Sequence, residues 1–168
     1  MDIWYAITLI GTPEWWLVFT GVLIVLYFLV RKSIPLKTKV FVKGVLTVLI
    51  LSLWITSGIT FFLKNSVSFE RPCTPCTENQ PECNPYCLED NSFPSGHSAV
   101  IFCVSTSIFL VFRKRKFLLL FLISIAVAIS RYFLGVHYPL DIFAGALIGI
   151  IVPVIVMIIL RKRLSFVS

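Results

Sequence analysis

Five apolar stretches, at roughly 15–31, 40–63, 95–112, 117–133 and 139–160, leave this chain almost no way to fold in water. A helix that crosses a bilayer needs about 20 predominantly apolar residues, and the stretches approach or exceed that length. With 58% hydrophobic residues and a mean hydropathy of +0.94, the chain is too apolar for a soluble domain of its size. The expected fold class is all-α: a polytopic membrane helix bundle of about five transmembrane helices, forming one domain over residues 1–168. The stretches at 95–112 and 117–133 are short, so they extend into the interface or cross with little tilt.

A net charge of +7 would suit nucleic acid, but the placement of the charges argues against that partner. Twelve of the 15 Lys and Arg residues lie in three clusters: Arg31, Lys32, Lys37, Lys39 and Lys43; Arg113, Lys114, Arg115 and Lys116; and Arg161, Lys162 and Arg163. Threading five spans puts all three clusters on one side, the positive-inside pattern. The eight acidic residues, Asp2, Glu14, Glu70, Glu78, Glu82, Glu89, Asp90 and Asp141, fall on the other side. The predicted topology is a multi-pass protein of the cell membrane with its N-terminus outside and its C-terminus in the cytoplasm. Residues 1–13, with Trp4 and Tyr5 and then Trp15 and Trp16, read as an outer interfacial helix leading into the first span. A cleaved signal peptide fits less well, because no basic region or small-residue cleavage site precedes that span.

Residues 64–94 form one long loop, which holds five of the nine prolines and four of the five cysteines. Irregular backbone cannot lie in lipid, so the loop stands above the bilayer. On an oxidising outer face, Cys73, Cys76, Cys83 and Cys87 read as two disulfides. A nested pairing, Cys73–Cys87 with Cys76–Cys83, is the favoured one. A four-thiolate zinc site is the alternative, since Cys73-x2-Cys76 has ligand-like spacing. Cys103, alone in the third span, reads as apolar packing.

Three basic residues and both histidines fall outside the clusters, and all five lie on the outer side. Lys64 ends the second span, and Arg71-Pro72 follows. Pro94-Ser95-Gly96-His97 opens the third span, where a helix N-terminus offers unpaired N–H groups and partial positive charge to an anion. Ser95 is a natural N-cap whose hydroxyl could instead donate to a phosphate oxygen. Gly96 lets a ligand approach its backbone N–H. The plain alternative is an ordinary helix cap with a satisfied histidine. Ser130-Arg131 closes the fourth span, and His137 and Asp141 lead into the fifth behind Pro139. A snorkelling interfacial arginine would account for Arg131 but not for its two companions. A carboxylate in the first helical turn can accept from one ring nitrogen of His137, leaving the other as an oriented lone pair. That is how a nucleophile and its orienting partner are built.

Together KNSVSFERP (64–72), PSGH (94–97) and SRYFLGVHYPLD (130–141) resemble the type 2 phosphatidic acid phosphatase superfamily, whose site is shared with vanadium haloperoxidases and glucose-6-phosphatase. The family pattern is Lys-x6-Arg-Pro, then Pro-Ser-Gly-His, then Ser-Arg-x5-His-x3-Asp, and every motif position is matched. Many relatives carry six spans, whereas five are counted here.

The resemblance implies a metal-independent lipid phosphatase with no cofactor. His137 would attack phosphorus to give a phosphohistidine, Asp141 would orient it, and His97 would protonate the leaving group and then activate water. Lys64, Arg71 and Arg131, with Ser95 and the Gly96 N–H, would hold the phosphoryl oxygens, with Pro72, Pro94 and Ser130 in support. No carboxylate cluster is present to hold a metal. The acid role asks His97 to carry a proton at a helix N-terminus, which a bound phosphate would offset. Relatives of this small size resemble phosphatases of polyprenyl diphosphate carriers, undecaprenyl or dolichyl, with phosphatidate or phosphatidylglycerophosphate as the alternative substrates. A non-enzymatic lipid- or anion-binding membrane protein is the reading of another class. A haloperoxidase fits poorly, because those relatives are soluble.

Overall fold

The computed structural model describes residues 3–76 and 83–161. Among these the fold is entirely helical: α1 (Ile3–Thr8), α2 (Pro13–Val30), α3 (Leu36–Ser66), α4 (Gly96–Phe112), α5 (Leu119–Phe133) and α6 (Pro139–Leu160), with 3-10 turns at Leu9–Gly11 and Arg115–Leu118. Four segments are long and apolar enough to cross a membrane: Pro13–Val30, Leu36–Ser66, Arg115–Phe133 and Pro139–Leu160. Their outward faces carry side chains such as Leu29, Phe61, Phe62 and Ile158, as lipid requires. This is a multi-pass membrane protein.

The helix starting at Gly96 is shorter, 17 residues or about 25 Å, and it is the axis of the bundle. An unbroken run of its residues from Ser98 to Ser107 is buried, because α3, α5 and α6 surround it. A helix wrapped in protein need not match the bilayer thickness, because its neighbours rather than lipid cover it. One core cluster joins Leu49 and Leu53 of α3 to Val100, Cys103 and Val104 of α4. A second joins Ile101 and Phe102 of α4 to Val127 and Ala128 of α5.

Two glycines set how closely α4 and α6 approach. A Cβ on Gly145 would collide with the Ser95 carbonyl, and one on Gly149 with the Ala99 carbonyl. Small residues four apart let membrane helices bring their backbones together. Polar glue fastens the other flank, where the Ser105 and Ser124 hydroxyls lie 2.8 Å apart.

The C-terminal ends of α3 and α5 and the N-terminal ends of α2, α4 and α6 meet at one end of the bundle. Glu14, Glu70, Glu89, Asp90 and Asp141 lie there, while Arg31 to Lys43, Arg113 to Lys116 and Arg161 lie toward the other. Asp2, Glu78, Glu82, Lys162 and Arg163 lie outside the described residues.

One element departs from the sequence reading in its length. The span expected at 40–63 belongs to a 31-residue helix, about 46 Å long; its first turns carry Lys37, Lys39 and Lys43 beyond the apolar section. The N-terminal segment is helical at Ile3–Thr8, as expected, and is held against the bundle. Trp4 stacks on Phe133 at 4.4 Å and Tyr5 on Tyr86 at 4.9 Å, and α1 packs across the end of α5.

Candidate active site

Lys64 stands in the last turn of α3, and the chain then runs antiparallel to residues 90–92. Asn91 donates from its side-chain amide to the Lys64 carbonyl at 2.7 Å, Ser92 N–H donates to the Phe69 carbonyl at 2.8 Å, and the Ser92 hydroxyl reaches the Glu70 carbonyl at 3.3 Å. This zipper sets both cations against one carboxylate. Lys64 Nζ lies 2.9 Å from Asp90 Oδ2 and also donates to the Asn91 carbonyl. Arg71 Nε donates to the Asp90 carbonyl at 3.0 Å and to Oδ1 at 3.1 Å, and Nη2 pairs with the same Oδ1. Burial works to raise the Asp90 carboxyl, but hydrogen bonds from Lys64 and Arg71 outweigh it and hold the group below its ordinary value.

The loop above is stapled twice, Cys73 to Cys87 with an S–S distance of 2.02 Å and Cys76 to Cys83 at 2.00 Å. That is the nested pairing, and it leaves no thiolates for a four-cysteine zinc site. Cys103 is free and buried in the core.

Ser95 caps α4 in an extended conformation, its hydroxyl accepting from Ser98 N–H at 3.5 Å. The contact is long and leaves the hydroxyl its own proton to donate. Ser95 N–H donates to the Asp141 carbonyl at 3.0 Å, which ties the start of α4 to the start of α6. A Cβ at Gly96 would meet only Pro13 Cγ at 3.6 Å. Packing therefore does not demand glycine there, and what glycine supplies is an uncovered N–H.

On the other flank, Arg131 is only 5% exposed. Its Nη1 donates to Thr8 Oγ1 at 3.0 Å, its Nε is buried without a partner, and among the described residues no carboxylate pairs with it. A desolvated cation with no counter-ion is costly unless an anion arrives to meet it. Arg131 and His97 share the wall of a cavity of about 420 Å³, with Thr8, Tyr5 and Tyr86 around it. Ser130 is buried and bonds to its own helix, donating to the Val127 carbonyl at 2.6 Å.

Between α5 and α6 the chain turns through Gly135, whose φ of +67° suits glycine. His137 follows, 3% exposed, and Asp141 is fully buried. His137 Nδ1 lies 3.4 Å from Asp141 Oδ2, which also accepts from Tyr138 N–H at 2.9 Å. Asp141 is acceptor-only as a carboxylate, so it favours the tautomer with the proton on Nδ1 and the lone pair on Nε2. That lone pair faces Arg71 Nη1 at 3.3 Å, and the same Nη1 donates to the Val136 carbonyl at 2.9 Å. Burial first, then the nearby Arg71, Arg131 and Lys64 charges, push His137 down to about 4 against the opposing pull of Asp141. A shift in that direction favours the neutral imidazole, the form in which a histidine can act as a nucleophile.

The structure thus gathers Lys64, Arg71, Ser95, Gly96, His97, Arg131, His137 and Asp141 at one end of the bundle, with Pro72, Pro94 and Ser130 in the segments that carry them. Two participants were missed by the sequence reading. Asp90 pairs with residues 26 and 19 positions earlier, and Thr8 with one 123 positions later; neither partnership leaves a periodic signal. Three cations and two imidazoles around a helix N-terminus can bind an anion, attack it and shuttle a proton. Among the described residues no group of three or more His, Cys, Asp or Glu side chains is placed to hold a metal ion.

A family model described as the PAP2 superfamily matches residues 44–165. The bacitracin transport permease protein BcrC of Bacillus licheniformis is 52% identical over 62 residues, which is 37% of this chain and 30% of that protein. An undecaprenyl-diphosphatase of Sulfolobus acidocaldarius is 38% identical over 60 residues, 36% of this chain and 29% of that one. The matches therefore span about a third of the length of these curated relatives. The crystal structure of Aquifex aeolicus LpxE superposes with a TM-score of 0.66 at 29% identity, covering 92% of this chain and 82% of that one.

Proposed function

Because the chain belongs to the PAP2 superfamily, we propose that it is an integral-membrane lipid phosphatase that works through a phosphohistidine. The observation that carries the reading is the His137 imidazole, buried and neutral, held on one nitrogen by Asp141 and presenting the other beside Arg71. His137 Nε2 attacks phosphorus, and His97 at the start of α4 protonates the departing oxygen. Water, deprotonated by His97, then releases phosphate and restores His137. Such proton transfer contributes about 10²–10⁴-fold. Arg71, Lys64, Arg131, the Ser95 hydroxyl and the Gly96 N–H stabilise the charge on the phosphoryl oxygens, commonly the largest single contribution. The chemistry needs no metal.

The substrate we assign is a polyprenyl diphosphate of the undecaprenyl or dolichyl kind, and the role is recycling of a lipid carrier. The match to an undecaprenyl-diphosphatase supports that choice. So does an apolar groove of about 350 Å³ between α5 and α6, lined by Phe102, Ile125, Ile129 and Ile142 and reaching Tyr132 and Pro139 at the site end. A hydrocarbon tail lying there would bring its head group to the site from the side. We place the site on the extracytoplasmic face, on the strength of the basic clusters at the opposite end. Residues 1–168 act as one domain in this reading.

The test is phosphate release in detergent with excess EDTA from a polyprenyl diphosphate, phosphatidate and phosphatidylglycerophosphate, each beside His137→Ala. Release that favours the diphosphate and disappears in the variant is expected. Preference for a glycerolipid would move the role while keeping the chemistry. Turnover surviving in His137→Ala would sink the mechanism.

A further inference from the structure

We propose that Asp90 is the positioning residue of this site, a carboxylate that fixes Lys64 and Arg71 for the transition state without itself touching the substrate. The proposal rests on the phosphohistidine reading above and assigns a role to a residue outside its three motifs.

The geometry divides Arg71 into two edges. Nε and Nη2 face the Asp90 carboxylate, while Nη1 faces the Val136 carbonyl and His137 Nε2. A planar guanidinium held along one edge by Asp90 Oδ1 at two nitrogens, and by the Asp90 carbonyl at one of them, cannot rotate about its stem, so its opposite edge is aimed. The second carboxylate oxygen holds Lys64 at 2.9 Å. One anion thereby spaces two cations that otherwise repel each other. The backbone reinforces it, since the Asp90 and Asn91 carbonyls each accept from one of the pair.

Asp90 itself is fixed by the chain. It lies three residues after Cys87, Arg71 lies two residues before Cys73, and those two cysteines are bonded. The Asp90 side chain is 47% exposed at the solvent edge of the pair, whereas that of Arg71 is 4% exposed. The carboxylate therefore stands behind the cations and leaves the face toward His137 open.

Two effects of removing the charge point in opposite directions, and that separates positioning from scaffolding. Asp90→Asn adds one positive charge to the site, so an inorganic phosphate anion is bound at least as tightly as before. Loss of aim costs turnover, by about 10- to 100-fold for a displacement of roughly an ångström. Expected in full-length protein in detergent is a fall of that size in kcat, with the Kd of inorganic phosphate, read by calorimetry, unchanged or lower. Asp90→Glu keeps the charge and recovers part of the loss. Should Asp90→Asn fail to fold, Asp90→Glu alone decides: a severalfold fall in kcat at unchanged phosphate affinity and melting temperature supports positioning.

Wild-type kcat in either variant would overturn the proposal, as would weakening of phosphate binding in step with kcat. Phosphate affinity needs no turnover, so Asp90 is judged separately from the phosphohistidine, which His137→Ala tests on its own.

Discussion

Gly145→Ala adds one methyl group in the α4–α6 interface, several residues from the reacting groups, and should cost more turnover than stability. The new Cβ would meet the Ser95 carbonyl head on, with Ala99 N at 3.2 Å and Ser98 Cβ at 3.2 Å behind it. All three belong to α4 or its cap, and two are backbone atoms, so no rotamer can relieve the clash. Restoring ordinary contact requires roughly 1 Å of separation between the helices. That movement acts first on the Ser95 N–H bond to the Asp141 carbonyl, now 3.0 Å, which registers the PSGH turn against the His137–Asp141 pair. Overpacking of this kind costs about 1–3 kcal/mol, whereas a 1 Å misplacement of reacting groups can cost about 100-fold in rate. The assay compares kcat and melting temperature in detergent with Gly21→Ala and Gly58→Ala, whose new methyls meet nothing within 4 Å. These controls should match the parent. If Gly145→Ala keeps parental turnover, the claim that helix contact sets the site's register is wrong.

Replacing Asp141 by Asn should lower kcat by about 10⁴-fold, the effect of losing a carboxylate that selects the histidine tautomer, while protein yield and helicity stay parental. The acid limb of kcat/KM should fall near pH 4, because burial holds His137 there: above that pH the imidazole stays neutral and nucleophilic, and below it protonation blocks attack. An acid limb near the ordinary histidine value would show that the nucleophile is solvated. Opening Cys73–Cys87 with reductant, or by paired serine substitution, removes about 3 kcal/mol of loop constraint and should depress kcat at unchanged helicity, since Arg71 and Asp90 flank that bridge. Thr8→Val strips Arg131 Nη1 of its acceptor at a cost of about 1–3 kcal/mol and should lower kcat/KM roughly tenfold, measured on the diphosphate.

Hydropathy alone made the bundle legible, because a backbone in lipid has few ways to satisfy its hydrogen bonds. The site was legible for a related reason. Charge in so apolar a chain is costly wherever it is not used, so Lys64, Arg71 and Arg131 stood out once the basic clusters had been set aside. Their motifs sit at helix ends, where lipid-facing periodicity stops and turn chemistry begins. What hydropathy could not separate was lipid from protein as the apolar neighbour. The stretch at 95–112 looked like a marginal span, yet it is the most enclosed helix of the fold. Gly145 and Gly149, which decide that, carry their message through backbone approach rather than polarity.

The sequence indicated a short helix around Trp4 and Tyr5 but not the rings they meet. Aromatic rings favour both a membrane surface and one another, and here they stack on Phe133 and Tyr86. The consequence reaches the site. By closing over the end of α5, the N-terminal segment turns Arg131 from an exposed interfacial cation into a buried one whose only hydrogen-bond acceptor among the described residues is Thr8. Arg71 and Lys64 share the one carboxylate of Asp90, so that cluster keeps a net positive charge. Arg131 adds a second uncompensated cation on the other flank, where it shares a cavity wall with His97. On the diphosphate reading proposed above, this surplus would favour a head group with two phosphates over one with a single phosphate, because each added anionic oxygen meets a cation that no carboxylate has neutralised.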